Sequence, residues 1–327
     1  MKVSVFGAGS WGTALAIHLG RAGHDVLLWT RDPEVASHIA GTGSHPRRFP
    51  GIAFPPGLRA TCELDAALAH SETAVIAVPC ESYRDLLGSM SSPGGPRRFV
   101  STAKGVEPET LLRMSEIILE CRPDADVVAL SGPTFAEGVV RGDPSAAVIA
   151  GAAGPLAAEI QREFSDSRFR LYRSDDVIGV ELAGAVKNVV AIAAGIVAGL
   201  GFGPNTIAAL VTRGLAEIGR IVKGHGGQAR TVAGLAGIGD LMLTCTGRQS
   251  RNRRVGEEIG QGRSLQEILV DMPEVAEGAR TCLAVPFLAE TIGTDAPIAE
   301  SVVQVLYRGV DPREAVESLM TRALKAE

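Results

Sequence analysis

Aromatic residues are scarce in this chain, at 4% of 327 residues, and basic residues are not in excess. Lys and Arg number 32 against 37 Asp and Glu, which gives a formal net charge of −5. Proteins that bind nucleic acids need a surplus of positive charge, and many of them stack bases on aromatic rings. Both deficits argue against a nucleic acid as a partner.

Cysteine is also sparse and shows no pairing pattern. The five cysteines lie far apart and include no C-x-x-C pair: Cys62, Cys80, Cys121, Cys245 and Cys282. A disulfide framework or a zinc site is therefore not expected, and a reducing, cytoplasmic location fits best. A chain of this length buries enough core to fold without disulfides or a metal.

Membrane-directed segments are not expected either. Met1 and Lys2 lead directly into Val3–Phe6, which is too short for the apolar region of a signal peptide. One apolar stretch, 177–200, resembles a transmembrane helix in length, but it contains Glu181, Lys187 and Asn188. Such residues are costly in a bilayer. We therefore expect a buried helix of a soluble protein and no membrane insertion.

The two halves of the chain differ in pattern. The first half alternates short apolar runs with helical patterns, which predicts a βα-wound parallel sheet, whereas helical patterns alone follow residue 174. We predict an α/β fold with a Rossmann-like doubly wound sheet for dinucleotide binding in residues 1–175 and an all-α substrate domain in residues 176–327. The predicted strands are Val3–Phe6, Val26–Trp29, Thr73–Val78, Phe99–Ser101, Val127–Leu130, Ala146–Ile149 and Phe169–Tyr172. A long loop is predicted from Gly41 to Gly57, and the predicted helices include Thr110–Glu120 and Ala229–Leu243.

A G-x-G-x-x-G motif follows the first predicted strand and precedes a helix: Gly7, Ala8, Gly9, Ser10, Trp11 and Gly12. In a dinucleotide-binding βαβ unit, the first glycine makes the tight turn and the second admits the pyrophosphate. The third lets helix and strand pack closely. The helix N-terminus then offers N–H groups to the phosphates. A glycine-rich turn without a ligand is the alternative.

The end of the second predicted strand bears on which dinucleotide binds. An acidic residue there pairs with the ribose 2′-hydroxyl of NAD, whereas an arginine suits the 2′-phosphate of NADP. Here Arg31 comes first and Asp32 follows, and Arg47 and Arg48 in the predicted loop add positive charge. We predict a preference for NADPH, with use of NADH left open. A solvated turn is the alternative role of Arg31.

Three segments of the second half carry candidate chemistry. Lys187 lies within an apolar helix, where burial lowers the pKa of an amine and makes it a base; the alternative is a side chain that reaches solvent. Asp240 follows Gly239 and either bonds a ligand or Lys187, or caps a helix. Residues 244–254 carry four arginines with hydroxyls and an amide, which predicts an anion-binding loop; a solvated basic turn and, more rarely, an RNA contact are the alternatives.

Together these segments resemble the bacterial type of NAD(P)-dependent glycerol-3-phosphate dehydrogenases. The resemblance covers nearly the whole chain and rests on the order of long motifs: GAGSWGTALA from Gly7, SGPTFAEGV from Ser131, GAVKNVVAIAAG from Gly184, GPNTIAALVTRGLAEIGR from Gly203, GLAGIGDLMLTCTGRQSRNRRVG from Gly234, and VAEG around Glu277. It implies reversible reduction of dihydroxyacetone phosphate, a phosphorylated triose, to sn-glycerol 3-phosphate for phospholipid synthesis. It also implies a homodimer.

The resemblance assigns roles residue by residue. Lys187 corresponds to the family's general base. The substrate contacts are implied at Lys104, Gly132, Thr134, Lys187, Asp240, Ser250, Arg251 and Asn252. The cofactor contacts are implied at Ser10, Trp11, Arg31, Lys104, Ala136, Arg251, Val275 and Glu277, in addition to Gly7, Gly9 and Gly12. The sequence departs from the family pattern at Thr134 and Gly247, where serine is common, and in the His45–Pro50 loop.

Two other classes of function are weighed against this one. A related hydroxyacid or sugar-acid dehydrogenase shares the two-domain plan and a lysine on a helix, but does not need the arginine-rich segment. A dinucleotide sensor without enzymatic activity needs only the first half of the chain and no buried lysine.

Overall fold

The computed structural model describes residues 1–90, 95–152, 154–272 and 276–323. Within them the chain forms two compact units. The first unit comprises Met1–Ala103 and Met114–Val177, and the second comprises Lys104–Arg113 and the chain from Ile178 onward. A segment of ten residues thus leaves the first unit to join the second. Each unit has its own apolar core.

The first unit is an α/β fold in which strands and helices alternate. Its elements are β1 (Lys2–Phe6), α1 (Ser10–Arg21), β2 (Asp25–Trp29), α2 (Pro33–Thr42), β3 (Leu58–Thr61), α3 (Leu64–His70), β4 (Thr73–Ile76), α4 (Tyr83–Ser89), β5 (Arg98–Ser101), α5 (Met114–Cys121), β6 (Asp126–Ser131), α6 (Ala136–Arg141), β7 (Ser145–Gly151), α7 (Leu156–Phe164) and β8 (Phe169–Ser174). A short 3₁₀ turn, Cys80–Ser82, precedes α4.

These strands form one sheet in the order β3-β2-β1-β4-β5-β6-β7-β8. The order reverses between β1 and β4, and doubly wound sheets bind ligands outside the carboxyl ends of their strands at such a point. The predicted Rossmann-like class is confirmed. The expectation that every strand pair is parallel is wrong, because β7 runs antiparallel to β6. The connecting segment holds a helix of only six residues, about 9 Å long, which is too short to carry the chain back along β6.

Several short elements of the first unit were not predicted. They are α2, β3, α3 and α6, each of ten residues or fewer. The predicted helix Thr110–Glu120 begins only at Met114. Before it, residues 106–113 turn back on themselves, with a bridge between Val106 and Arg113 and a left-handed φ of 62° at Leu111. That reversal is incompatible with a helix over the same residues.

Apart from the segment 104–113, the described residues of the second unit form helices joined by turns. Its helices are α8 (Val177–Gly199), α9 (Pro204–Gly224), α10 (Ala229–Val232), α11 (Asp240–Thr246), α12 (Arg251–Gly260), α13 (Leu265–Asp271), α14 (Glu277–Thr281), α15 (Val285–Thr291), α16 (Pro297–Arg308) and α17 (Pro312–Met320). The predicted helix Ala229–Leu243 is wrong as a single element, because a π turn, Leu235–Gly239, separates α10 from α11. Its two glycines (Gly237 and Gly239) and the preceding Gly234 allow the break, and at Gly237 a Cβ would overlap the Val232 carbonyl.

Helix α8 is the central helix of the second unit. Among the described residues it is the one helix that is long and apolar enough to cross a membrane, yet 89% of its most apolar window is buried inside the fold. Its three polar residues are also buried. Arg113 donates to Glu181 at 2.7 Å and thereby pairs its charge. The other two polar residues, Lys187 and Asn188, belong to the candidate site.

Candidate active site

Lys187 lies at the centre of the candidate site in the second unit. Its side chain is 5% exposed, and its Nζ donates to Asp240 Oδ1 at 2.9 Å and to Thr244 Oγ1 at 2.6 Å. Asp240 and Thr244 lie four residues apart on α11 and therefore share one helix face. Thr244 is fixed by donating in turn to the Asp240 carbonyl at 2.7 Å. The alternative of a lysine that reaches solvent is thus excluded.

Burial changes the acidity of this lysine. It lowers the pKa of Lys187 from its usual 10.5 to about 8, although the Asp240 carboxylate acts in the opposite direction. An amine with such a pKa holds or releases a proton near neutral pH, which is the requirement for a general acid and base. Lys187 is therefore equipped to move a proton.

Asp240 holds a second lysine through its other oxygen. Lys104 Nζ donates to Asp240 Oδ2 at 2.7 Å, so one buried carboxylate bridges two amines. Burial raises the pKa of Asp240, but the two lysines outweigh burial and keep the pKa below its usual range. With both lysines protonated the cluster carries one net positive charge, which favours an anion or a developing oxyanion nearby.

Asn188 fixes the backbone that carries Lys104. Its Nδ2 donates to the Lys104 carbonyl at 2.9 Å, and the Lys104 backbone N–H donates to Glu277 Oε2 at 3.4 Å. Two consecutive residues of α8 thus belong to the cluster. Lys187 supplies one amine, and Asn188 holds the main chain of Lys104, which supplies the other. Sequence reasoning assigned no role to Asn188, although a polar residue in an apolar run signals a buried partner.

The predicted anion-binding segment is mostly helix rather than loop. Helix α11 extends to Thr246, and α12 begins at Arg251 with Ser250 as its N-cap, whose Oγ accepts from the Arg253 N–H at 3.2 Å. A four-residue turn, 247–250, leaves Arg251 and Asn252 in the first turn of α12, where backbone N–H groups favour an anion. Arg253 and Arg254 instead form i,i+4 ion pairs along α12.

Helix α12 packs against α8 with backbone contacting backbone. A Cβ on Gly195 or Gly199 of α8 would overlap carbonyls of α12, and a Cβ on Gly256 of α12 would overlap the Ile192 carbonyl. Only glycine permits this approach. The contact fixes the N-terminal turn of α12 relative to the helix that carries Lys187.

Asn252 links α12 to the next predicted contact. It is buried, and its Oδ1 accepts from the Gly278 N–H at 3.0 Å in the first turn of α14. Glu277, predicted to bind the cofactor, precedes Gly278 at the start of α14. Val275, predicted for the same role, lies outside the described residues.

The glycine motif of the first unit adopts the predicted strand-turn-helix geometry. Gly7 has a φ of 113°, and a Cβ on Gly12 would overlap the Gly7 carbonyl, so both positions require glycine. A Cβ on Gly9 would enter open space, which leaves room for a phosphate at the N-terminus of α1. Ser10 and Trp11 form the first turn of that helix. These residues fit a dinucleotide.

At the end of β2, Arg31 is exposed, and Asp32 accepts hydrogen bonds through both of its carboxylate oxygens. Asp32 Oδ1 accepts from the Glu34 and Val35 N–H groups and caps α2, while Oδ2 accepts from Arg47 at 2.5 Å. The carboxylate that would otherwise repel a 2′-phosphate is therefore paired with an arginine of the 43–57 loop.

The remaining predicted residues follow β6. Gly132 has a φ of 150°, and a Cβ there would lie 2.8 Å from Ala147 Cα. The Thr134 N–H donates back to the Gly132 carbonyl at 2.8 Å, and Ala136 begins α6. Over the part of the chain that the structure describes, no group of three His, Cys, Asp or Glu side chains could hold a metal ion.

The predicted residues thus divide between the units. The first unit contains the glycine motif, Arg31, Gly132, Thr134 and Ala136, whereas Lys104, Lys187, Asp240, Glu277 and residues 250–252 lie in the second. Sequence reasoning missed Thr244 as a partner of Lys187. Its spacing of four from Asp240 was the available signal.

Comparison with solved structures first defines the class of fold. A D-mandelate dehydrogenase, described as a ternary structure with NADH and anilino(oxo)acetate, matches with a TM-score of 0.65 at 15% identity, covering 98% of this chain and 100% of that one. At this identity the likeness concerns the fold alone. This chain and that structure therefore share one fold.

The family follows from closer matches. Models for the N-terminus and C-terminus of NAD-dependent glycerol-3-phosphate dehydrogenase match residues 2–156 and 176–317. A glycerol-3-phosphate dehydrogenase (NAD(P)+) of Geobacter sp. strain M21 is 48% identical over 331 residues, covering 100% of this chain and 98% of that one. The crystal structure of glycerol-3-phosphate dehydrogenase from Coxiella burnetii matches with a TM-score of 0.93 at 36% identity, covering 98% of this chain and 99% of that one. This chain belongs to the NAD-dependent glycerol-3-phosphate dehydrogenase family, and the resemblance stated from its motifs is confirmed.

Proposed function

We propose that this chain reversibly reduces dihydroxyacetone phosphate to sn-glycerol 3-phosphate with NAD(P)H. The observation that carries the proposal is the buried Lys187, whose Nζ bonds Asp240 and Thr244 and whose pKa lies at about 8. A sensor of dinucleotides has no use for such a base. Membership of the glycerol-3-phosphate dehydrogenase family supports the choice of substrate.

Lys187 moves the proton in this reaction. Hydride is the part of the chemistry that bound NAD(P)H supplies. In the reducing direction protonated Lys187 donates to the ketone oxygen, and in the oxidising direction neutral Lys187 accepts the proton of the secondary hydroxyl. Asp240 and Thr244 orient the amine, and Lys104 polarises the ketone oxygen.

The N-terminal turn of α12 binds the substrate phosphate. Ser250, Arg251 and Asn252 offer a helix N-terminus, a guanidinium and an amide within one turn. Holding this non-reacting group fixes the reacting carbon and converts binding energy into rate. Gly132 and Thr134 are further substrate contacts in the proposal.

The division of roles follows the sequence prediction. Residues 1–175 bind the dinucleotide through the glycine motif, Arg31, Lys104 and Ala136, with Arg251, Val275 and Glu277 as further contacts. Residues 176–327 form the substrate domain, and Lys104, Gly132 and Thr134 also contact the substrate. NADPH is preferred because Arg31 follows β2 and Arg47 neutralises Asp32. The protein acts as a cytoplasmic homodimer without membrane insertion, and its product supplies the backbone of phospholipids.

The test measures both directions of the reaction with NADH and NADPH in parallel across pH 6 to 10. Because the pKa of Lys187 is about 8, we expect the oxidation rate to rise as the pH increases through 8 and the reduction rate to fall. Turnover of an unphosphorylated hydroxyacid with none of dihydroxyacetone phosphate would instead favour the hydroxyacid dehydrogenase alternative.

A further inference from the structure

His45 makes three hydrogen bonds in the long loop that follows α2. The residue is 6% exposed, and its Nε2 lies 3.0 Å from the carbonyl oxygen of Ala8, between the first two glycines of the glycine motif. Its Nδ1 lies 3.1 Å from the backbone nitrogens of both Arg47 and Arg48. One imidazole ring thus connects the glycine motif to the two arginines of the loop.

These partners fix the protonation state of the ring. Two backbone N–H groups donate to Nδ1, so Nδ1 carries no proton, and the Ala8 carbonyl accepts a proton that Nε2 must carry. The ring is therefore the neutral Nε2–H tautomer. A proton on Nδ1 would face two donors and break the connection to both arginines.

The surroundings favour this neutral form. Burial lowers the pKa of His45 below its usual 6.5, and the nearby positive charges of Arg48, Arg47 and His38 act in the same direction. The hydrogen bond to the Ala8 carbonyl opposes them. The connection is therefore intact at neutral pH and weakens as the pH falls below 6.5.

The other end of the segment is also held. Arg47 donates to Asp32 at the end of β2, next to Arg31, so residues 45–48 are attached both to the glycine motif and to this strand end. Phe49 follows with a left-handed φ of 50° and packs against the apolar core of the first unit. A non-glycine residue in that conformation costs about 1 kcal/mol, which the surrounding contacts offset.

We propose that His45 is a positioning residue for cofactor choice, holding Arg47 and Arg48 where the 2′-phosphate of NADPH is recognised. The proposal rests on the proposed use of NAD(P)H. Arg47 contributes by neutralising Asp32, so that this carboxylate does not oppose a phosphate bound beside Arg31. The ring acts through these arginines and makes no contact with the dinucleotide itself in this assignment.

The test compares His45→Ala with the wild-type protein, using dissociation constants for NADPH and NADH measured from the fluorescence of the reduced nicotinamide. We expect the NADPH constant to rise about tenfold, the scale of one charge-assisted hydrogen bond, and the NADH constant to rise at most about threefold. The KM for NADPH should change more than kcat. His45→Gln, which keeps one donor and one acceptor, should recover part of the NADPH affinity.

A matched control removes the exposed histidine of α2. His38→Ala should leave both dissociation constants within about twofold of the wild-type values, since the charge of His38 has the smallest of the effects on the His45 ring. The pH dependence of NADPH affinity is a second measurement, and a merely structural role of His45 would not change it. The wild-type advantage over His45→Gln in NADPH affinity should shrink as the pH falls below 6.5, because the ligand phosphate titrates for both proteins but only His45 gains a proton on Nδ1.

The expected differences would support the positioning role of His45, and two other results would overturn it. Equal losses for NADPH and NADH, or no loss for either in a folded variant, would overturn the positioning role. If His45→Ala fails to fold by circular dichroism, the comparison of His45→Gln with the wild-type protein decides it by the same ratio. Failure of the wild-type protein to bind either dinucleotide would instead overturn the proposed function, so the two failures are distinguishable.

Discussion

Each unit contains an aspartate paired with a cation, and the two pairs differ in burial. Asp32 and Arg47 in the first unit have side chains 34% and 64% exposed, whereas Asp240 and Lys187 in the second are 2% and 5% exposed. Water screens the first pair, so it contributes little stability and serves to set local charge. Burial of the second pair changes the pKa of its lysine and creates a base. In the proposed function, the same ionic contact thus serves recognition of the cofactor in one environment and catalysis in the other.

The largest expected effect comes from removing the buried amine. Lys187→Ala should lower kcat by about 10²- to 10⁴-fold, the usual contribution of general acid–base catalysis, while the dissociation constants for NADH and NADPH stay nearly unchanged. Steady-state kinetics and fluorescence titration measure the two quantities. Lys223→Ala, an exposed lysine on α9, is the matched control and should retain wild-type turnover. Retention of more than about a tenth of turnover in Lys187→Ala would contradict its role.

The contrast between the two aspartates can be tested directly by the same substitution. Asp240→Asn leaves two amines without their buried carboxylate and should destabilise the protein by about 3–5 kcal/mol. Asp32→Asn keeps a good helix N-cap and loses an exposed ion pair, so about 0–1 kcal/mol is expected. Urea denaturation of both variants gives the comparison. Similar losses in the two would show that burial does not separate the pairs.

A smaller effect is expected from the phosphate contact. Arg251→Ala should lower kcat/KM for dihydroxyacetone phosphate at least about tenfold, because hydrogen bonds to charged groups contribute about 1.5–3 kcal/mol. Arg251→Lys should recover only part, since an ammonium lacks the planar fork of the guanidinium. Unphosphorylated dihydroxyacetone at high concentration is the control substrate and should be much less affected. An equal loss for both substrates would make Arg251 a cofactor or structural residue.

The smallest expected effect concerns the exposed arginine beside Asp32. Arg31→Ala should weaken NADPH binding by about fivefold, the upper range for an exposed ion pair, and leave NADH binding nearly unchanged. Raising the salt concentration should reduce the difference, because exposed charges are screened. Isothermal titration calorimetry with both dinucleotides measures it. If the two affinities fall together, Arg47 or Arg48 rather than Arg31 discriminates between the cofactors.

The sequence predicts the parts of this structure that depend on local pattern. The glycine motif and the apolar helix around Lys187 are confirmed as elements, because a tight turn and a long apolar run leave clear signals in consecutive residues. Short elements such as β3 and α6 leave too few residues to show a period. The antiparallel direction of β7 depends on the length of the segment that joins it to β6, and a local residue pattern does not show that direction.

The contacts within the candidate site were predictable only in part. The sequence left two roles open for Asp240, and only the fold brings Lys187 and Lys104 to its two oxygens across separations of 53 and 136 residues. Thr244 and Asn188 acquire their partners in the same way. The basic segment 244–254 was predicted to be a loop, and that prediction was wrong because composition alone does not distinguish a loop from a helix N-terminus.

The ten-residue segment that carries Lys104 has a consequence for how the protein is made. Arg113 leaves the ribosome 68 residues before Glu181, its partner on α8, an interval of roughly 3–14 s at usual rates of synthesis. During that interval the segment has no helical unit to join, although every residue of the first unit has been synthesised once Val177 is made. A gene fragment that encodes the helices alone produces a protein without Lys104 and Arg113. Expression of the helical unit in isolation therefore requires residues 104–113 to be supplied as well, by fusion or by circular permutation.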